Sequence, residues 1–113
     1  AELKGNTITV EPLFKFPVIE DLLVDRQPMM DKLKEMNLWL NGDAASSGEK
    51  EAFEAAKCLQ CGLCLEVCPN FYAGGKFGGM AAMMPTARLM AKAPKEQKTE
   101  LYREYNKNIL NPC

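Results

Sequence analysis

The sequence predicts a mostly α domain with a short N-terminal extended or strand segment. Apolar residues recur at helical spacing in four stretches between residues 26 and 108. Alternating β-branched residues are confined to Thr7-Ile8-Thr9-Val10. Four of the five cysteines fall at Cys58, Cys61, Cys64 and Cys68, in the middle of the helical region.

Residues 7–10 read as a strand. Pro12 and Pro17 then hold residues 11–25 extended. Phe14, Phe16, Val18, Ile19, Leu22, Leu23 and Val24 make that stretch apolar enough to need a covering surface, which the reading assigns to a missing neighbouring domain. A helix is expected over 26–40, with Asp25 as N-cap, Pro28 in the first turn and Met29, Leu33, Met36 and Leu40 on one face. Residues 41–48 read as a loop. Ser46 and Glu49 fit a capping box for a helix over 49–57, with Phe53 and Ala56 facing inward. The cysteine run itself reads as turns and short helix. Gly74-Gly75-Lys76-Phe77-Gly78-Gly79 lacks phosphate-loop spacing and reads as a close-packed turn. A helix over 79–92 carries Met80, Met83, Met84, Ala87 and Met90 as a core stripe, kinked at Pro85. A last helix over 95–108 places Leu101, Tyr105 and Ile109 inward and a mixed-charge face outward.

The chain has 113 residues, enough for one modest domain. Its net charge of −1 argues against a nucleic-acid surface. No apolar run approaches the roughly 18 residues that span a bilayer. The N-terminus has neither the basic nor the long apolar region of a signal peptide. Ala1, without a methionine and close to a strand, reads as a cut inside a longer polypeptide. An odd, clustered cysteine count disfavours disulfides, and the missing export signal points to a reducing compartment. Histidine is absent, which removes Cys2His2 fingers, Rieske centres and His-based acid–base catalysis.

The run Cys58-x2-Cys61-x2-Cys64-x3-Cys68-Pro69 is a ligand pattern for iron–sulfur clusters. Iron in such clusters takes soft, anionic thiolate. Two-residue gaps let one loop place three sulfurs at three corners of a cluster, while N–H groups of the loop point at its sulfides. Leu59, Leu63, Leu65 and Val67 interleave the cysteines and read as a dry shell. Structural zinc is the competing reading, but zinc prefers two separated pairs or a Cys/His set. Cys58, Cys61 and Cys64 form the natural trio for one [4Fe–4S] cluster. Its fourth ligand within the chain is Cys68 or Cys113, unless Cys68 serves a second cluster.

With the motif set beside Ile8-Thr-Val-Glu-Pro-Leu13 and Phe16-Pro-Val-Ile-Glu-Asp-Leu-Leu-Val-Asp25, the chain resembles the iron–sulfur subunit of succinate dehydrogenase and fumarate reductase over nearly its whole length. The resemblance implies an α-helical ferredoxin domain over 26–113, incomplete at its C-terminus. It also implies that 1–25 is the end of a missing N-terminal [2Fe–2S] domain and its connector. It assigns Cys58, Cys61 and Cys64 to a [4Fe–4S] cluster and Cys68 and Cys113 to a [3Fe–4S] cluster, each short of one cysteine. It implies a flavoprotein partner, membrane-anchor subunits and a place at the inner face of the cell membrane. Pro69 matches a residue lining a quinone site, and Tyr72 and Ala73 fall where many members carry tryptophan. The family's quinone-site histidine would lie past Cys113. The function expected is electron relay between the flavoprotein and a quinone or membrane anchor, with no substrate chemistry on this chain. The rivals are the same module in a heterodisulfide, thiol-linked fumarate reductase or glycolate oxidase type enzyme, or a non-redox metal-binding or interaction module. Trp39 reads as core or subunit interface.

Overall fold

A computed structural model describes residues 2–113. The chain opens with a hairpin in which β1 (Glu2–Lys4) pairs antiparallel with β2 (Thr7–Thr9), Leu3 opposite Ile8. A second small hairpin follows, β3 (Val18–Glu20) with β4 (Leu23–Val24), turning through Asp21 at φ 48°. Asp25 N–H donates to the Pro17 carbonyl at 2.7 Å and closes it. The stretch expected to be merely extended is therefore a hairpin. Val18, Ile19, Leu22 and Leu23 remain exposed on it.

The rest is helical: α1 (Gln27–Glu35), α2 (Glu49–Ala56), α3 (Leu63–Glu66), α4 (Gly79–Lys92) and α5 (Lys95–Tyr105), which runs into a π turn at Asn106–Leu110. Helix α1 is shorter than the periodicity predicts. Met36 ends it, Asn37 turns left-handed at φ 53°, and the Trp39 carbonyl accepts from Gln97 Nε2 at 2.7 Å instead of continuing a helix. Gln97 Oε1 in turn accepts Asn41 N–H at 3.1 Å, so one buried amide fixes this loop. Arg26 occupies the N-cap. Asp25 sits one residue earlier, where its carboxylate accepts Gln27 N–H at 2.8 Å. The expected capping box at Ser46 and Glu49 does not form, because Gly48 is the N-cap of α2. At φ 80° its backbone lies against α4, where an added Cβ would stand 2.4 Å from the Ala91 carbonyl oxygen.

Phe16, Met29, Met36, Leu65, Phe71, Phe77, Ala81, Ala82 and Ile109 form the core, drawing on every helical segment except α2 and α5. Helix α4 is the central element, and α2 packs along it. Its buried face is Gly79, Ala81, Ala82 and Thr86, not the methionine stripe: Met80 is 47% exposed and Met83, Met84 and Met90 are only partly covered. Small residues win that face because α2 and α3 approach too closely for methionine. For the same reason α2 buries Ala55 and leaves Phe53 and Ala56 outside. Trp39 is half exposed. No helix is long and apolar enough to cross a membrane among the described residues.

The last helix changes pitch where sequence reasoning continues it to 108. Asn108 Nδ2 donates to the Glu104 carbonyl at 3.0 Å, and the Asn108 carbonyl leaves the helix to accept Gly78 N–H at 2.8 Å. The π turn thus docks the end of the chain onto the glycine turn that starts α4.

Candidate metal centre

Helix α2 delivers the chain into the cysteine run. Cys58 N–H donates to the Ala55 carbonyl at 3.4 Å, just past the C-cap Lys57. The loop then turns left-handed twice, at Gln60 (φ 53°) and Gly62 (φ 87°), before the single turn of α3. Those reversals fold residues 58–64 into one short loop between α2 and α3. All five cysteines are free thiols: Cys58 and Cys68 are partly buried, and Cys61, Cys64 and Cys113 are exposed.

Cys64 is exposed as a residue, but partial burial of its sulfur pushes the thiol above its ordinary value, and the neighbouring Cys58 and Cys61 push it further. The N–H groups of Cys64 and Leu65 act in the opposite direction. Among the described residues, no three His, Cys, Asp or Glu side chains converge on a point that could hold a single metal ion.

Several residues outside the predicted set hold the loop. Glu66 accepts Phe14 N–H at 3.0 Å on one carboxylate oxygen and Lys15 N–H at 3.1 Å on the other. Lys15 Nζ donates to the Leu65 carbonyl at 3.4 Å and also to the carbonyl of Cys68. Phe16 then packs its ring 5.7 Å from that of Phe71. Arg26 Nη1 donates to the Gln60 carbonyl at 3.0 Å. The Gln60 side-chain amide reaches Cys58 Sγ at 3.3 Å and the Ala81 carbonyl at 3.1 Å. Sequence reasoning passes over Gln60, though Pro85 offers a signal. A proline inside a helix leaves the carbonyl four residues earlier without its donor, and that residue is Ala81.

The expected dry shell is only partly present. Leu65 is fully buried, whereas Leu59 is 87%, Val67 81% and Leu63 59% exposed. A turn this tight aims one side chain at the core and the others away from it. The glycine turn does pack closely, through Phe77, Gly78 and Gly79, while Gly74 has open space around it. Behind Cys58 and Gln60 lies a half-open cavity of about 410 Å³, walled by Leu38, Pro85, Arg88 and Lys92. Pro69 and Tyr72 lie exposed beyond α3, and Ala73 borders a separate open cleft with Pro17 and Pro28.

No family model matches the chain. Individual proteins do. The succinate dehydrogenase iron–sulfur subunit of Bacillus subtilis is 41% identical over 86 residues, covering 67% of this chain and 34% of that protein. The fumarate reductase iron–sulfur subunit of Mycobacterium tuberculosis is 34% identical over 94 residues, covering 74% of this chain and 38% of that protein. A component of the fumarate reductase (CoM/CoB) of Methanothermobacter marburgensis is 31% identical over 85 residues, covering 70% of this chain and 17% of that protein. The chain therefore spans 17% to 38% of the length of these relatives.

Proposed function

By sequence this chain belongs with the iron–sulfur subunits of succinate dehydrogenase and fumarate reductase, and from that premise we propose that its cysteines hold two clusters in a single-electron relay. Cys58, Cys61 and Cys64 supply three thiolates of a [4Fe–4S] cluster. Cys68 and Cys113 supply two of a [3Fe–4S] cluster. A [2Fe–2S] cluster belongs to a preceding domain and not to these residues.

The observation that carries the reading is the cysteine run itself, with Cys58, Cys61 and Cys64 as free thiols of one tight loop between α2 and α3. The donor set fits the group. A cluster takes each thiolate on a separate iron, so its ligands need a shared arc and not convergence on one atom. Soft sulfur donors with no histidine or carboxylate among them suit iron–sulfur chemistry. When bound, the clusters accept and release one electron at a time. This chain's residues hold the thiolates, exclude water on the Leu65 side and aim N–H groups at the sulfur.

Electrons would enter from a flavoprotein subunit and leave toward a membrane anchor or quinone, with Pro69 and Tyr72 on the quinone side. The complex would sit on the cytoplasmic face of the membrane through its anchor subunits. The fumarate reductase (CoM/CoB) relative supports a second reading, the same relay in an enzyme with a different electron partner.

The test is Cys61→Ser in the cluster-loaded protein. Iron and sulfide content should fall by one [4Fe–4S] cluster, with loss of its reduced-state EPR signal. Unchanged iron content and an unchanged spectrum would overturn the assignment, and zinc in place of iron would overturn the redox reading altogether.

A further inference from the structure

We propose that Gln60 is a positioning residue for the cluster ligand Cys58, and that Pro85 creates the second anchor that holds it there. The inference rests on the cluster assignment above and concerns residues outside the ligand set.

A side-chain amide nitrogen carries two hydrogens. In Gln60 both are committed: one to Cys58 Sγ at 3.3 Å and the other to the Ala81 carbonyl at 3.1 Å. That carbonyl is available because Pro85, four residues on in α4, has no N–H to give it. The amide orientation is fixed by the Ala81 carbonyl, which can only accept, so the nitrogen and not the oxygen faces it. The amide oxygen stays buried without a partner. The Gln60 backbone is held too, in a left-handed turn at φ 53°, with its carbonyl accepting Arg26 Nη1 at 3.0 Å. Cys58 is thereby referenced to α4, the central helix, and not only to its own loop.

Two consequences differ in kind. An N–H···S bond stabilises negative charge on a cluster thiolate, and the reduced cluster carries one more negative charge than the oxidised one. Gln60 therefore raises the reduction potential of the cluster that Cys58 ligates. Separately, removing the amide leaves the Ala81 carbonyl unpaired only while residue 85 is proline.

The experiment uses Gln60→Leu, Pro85→Ala and the double variant in the full chain with clusters loaded. The [4Fe–4S] midpoint is read by EPR-monitored potentiometry, and stability by urea denaturation of the cluster-free protein. In Gln60→Leu the reduced-to-oxidised ratio at fixed potential should fall on the order of tenfold, about 59 mV for one electron. The folded-to-unfolded ratio should also fall about tenfold in the Pro85 background, about 1.4 kcal/mol, and much less when Pro85→Ala restores the helical N–H. If Gln60→Leu takes up no cluster, protein labelled with 15N-glutamine replaces it. A nitrogen coupling to the reduced cluster in the unsubstituted chain, absent from Gln60→Glu, is expected. An unmoved midpoint, or no such coupling, overturns the potential-setting role. Equal stability losses in both residue-85 backgrounds overturn the link to Pro85. No [4Fe–4S] signal in the unsubstituted protein with all of its cluster ligands present overturns the cluster assignment, and the inference with it.

Discussion

Gly79→Ala tests how tightly α3 is held against the central helix. Gly79 starts α4 at φ 61°, where an L side chain costs about 1–2 kcal/mol. A Cβ there would stand 2.4 Å from Leu65 Cδ2, far inside contact distance. Leu65 is fully buried, so its side chain must repack within the core to make room. Overpacking of that kind costs about 1–3 kcal/mol. The sum is about 2–5 kcal/mol, a large share of the roughly 5–15 kcal/mol that holds a domain together. Gly74→Ala is the matched control, with φ 79° and nothing within 4 Å of the added Cβ. It should cost only the backbone part, about 1–2 kcal/mol. Urea denaturation of both variants at the same cluster occupancy separates the two contributions, provided the slopes agree. The double variant Gly79→Ala with Leu65→Ala should be less destabilised than the sum of the singles, by on the order of 1–3 kcal/mol. Equal losses for Gly79→Ala and Gly74→Ala, or strict additivity with Leu65→Ala, would refute the claim that this contact sets the seat of α3.

Two further outcomes follow from the same packing. Phe16→Ala should cost about 3–5 kcal/mol, because the ring is 3% exposed and lies against Phe71; a loss under about 1 kcal/mol would show that the N-terminal segment is not part of the core. In the cluster-free protein, the raised Cys64 thiol makes the folded state hold its proton more tightly than the unfolded chain does. That contribution is fully present below the unfolded thiol's pKa and is lost as pH rises through the raised folded value. Cys64→Ser should flatten this alkaline decline in a pH series of denaturation midpoints, and an identical decline would contradict it.

Much of the helical plan is legible in the residues alone. Residues 79–92 read as a helix because Met80, Met83, Met84, Ala87 and Met90 recur at helical spacing, and the structure has a helix with those bounds. The cysteine trio is legible because ligand spacing is a local property. The features that spacing and propensity miss are set by contacts between distant residues. Helix α1 stops at Glu35 because the loop after it is tied to Gln97, more than fifty residues away. The methionines of α4 fit helical spacing equally well on either face. Only the close approach of α2 and α3 decides that alanine and threonine go inside. The hairpin of β3 and β4 is hidden because its turn residue, Asp21, is not a glycine. Gln60 looks like an ordinary polar residue between two cysteines, since its partner in α4 lies 21 positions along the chain.

The other tie across the cysteine loop is Glu66, and it acts locally. Its carboxylate accepts two backbone N–H groups from Phe14 and Lys15, while Lys15 sends its ammonium back to the carbonyls of Leu65 and Cys68. The segment therefore clasps the C-terminal end of α3, and Phe16 seats it in the core. Glu66→Gln keeps the shape but removes the charge and turns one of the two acceptors into a donor facing an N–H. Hydrogen bonds to a charged group contribute about 1.5–3 kcal/mol when buried, and less here because Phe14 is exposed. The Phe16 contact survives the change, so global stability should fall by no more than about 1–2 kcal/mol. Amide exchange at Phe14 and Lys15 should accelerate far more than exchange at Leu101, which lies in the core of α5. Unchanged protection at both amides would mean that the hydrophobic seat alone positions the segment, and that the clasp on Cys68 is incidental.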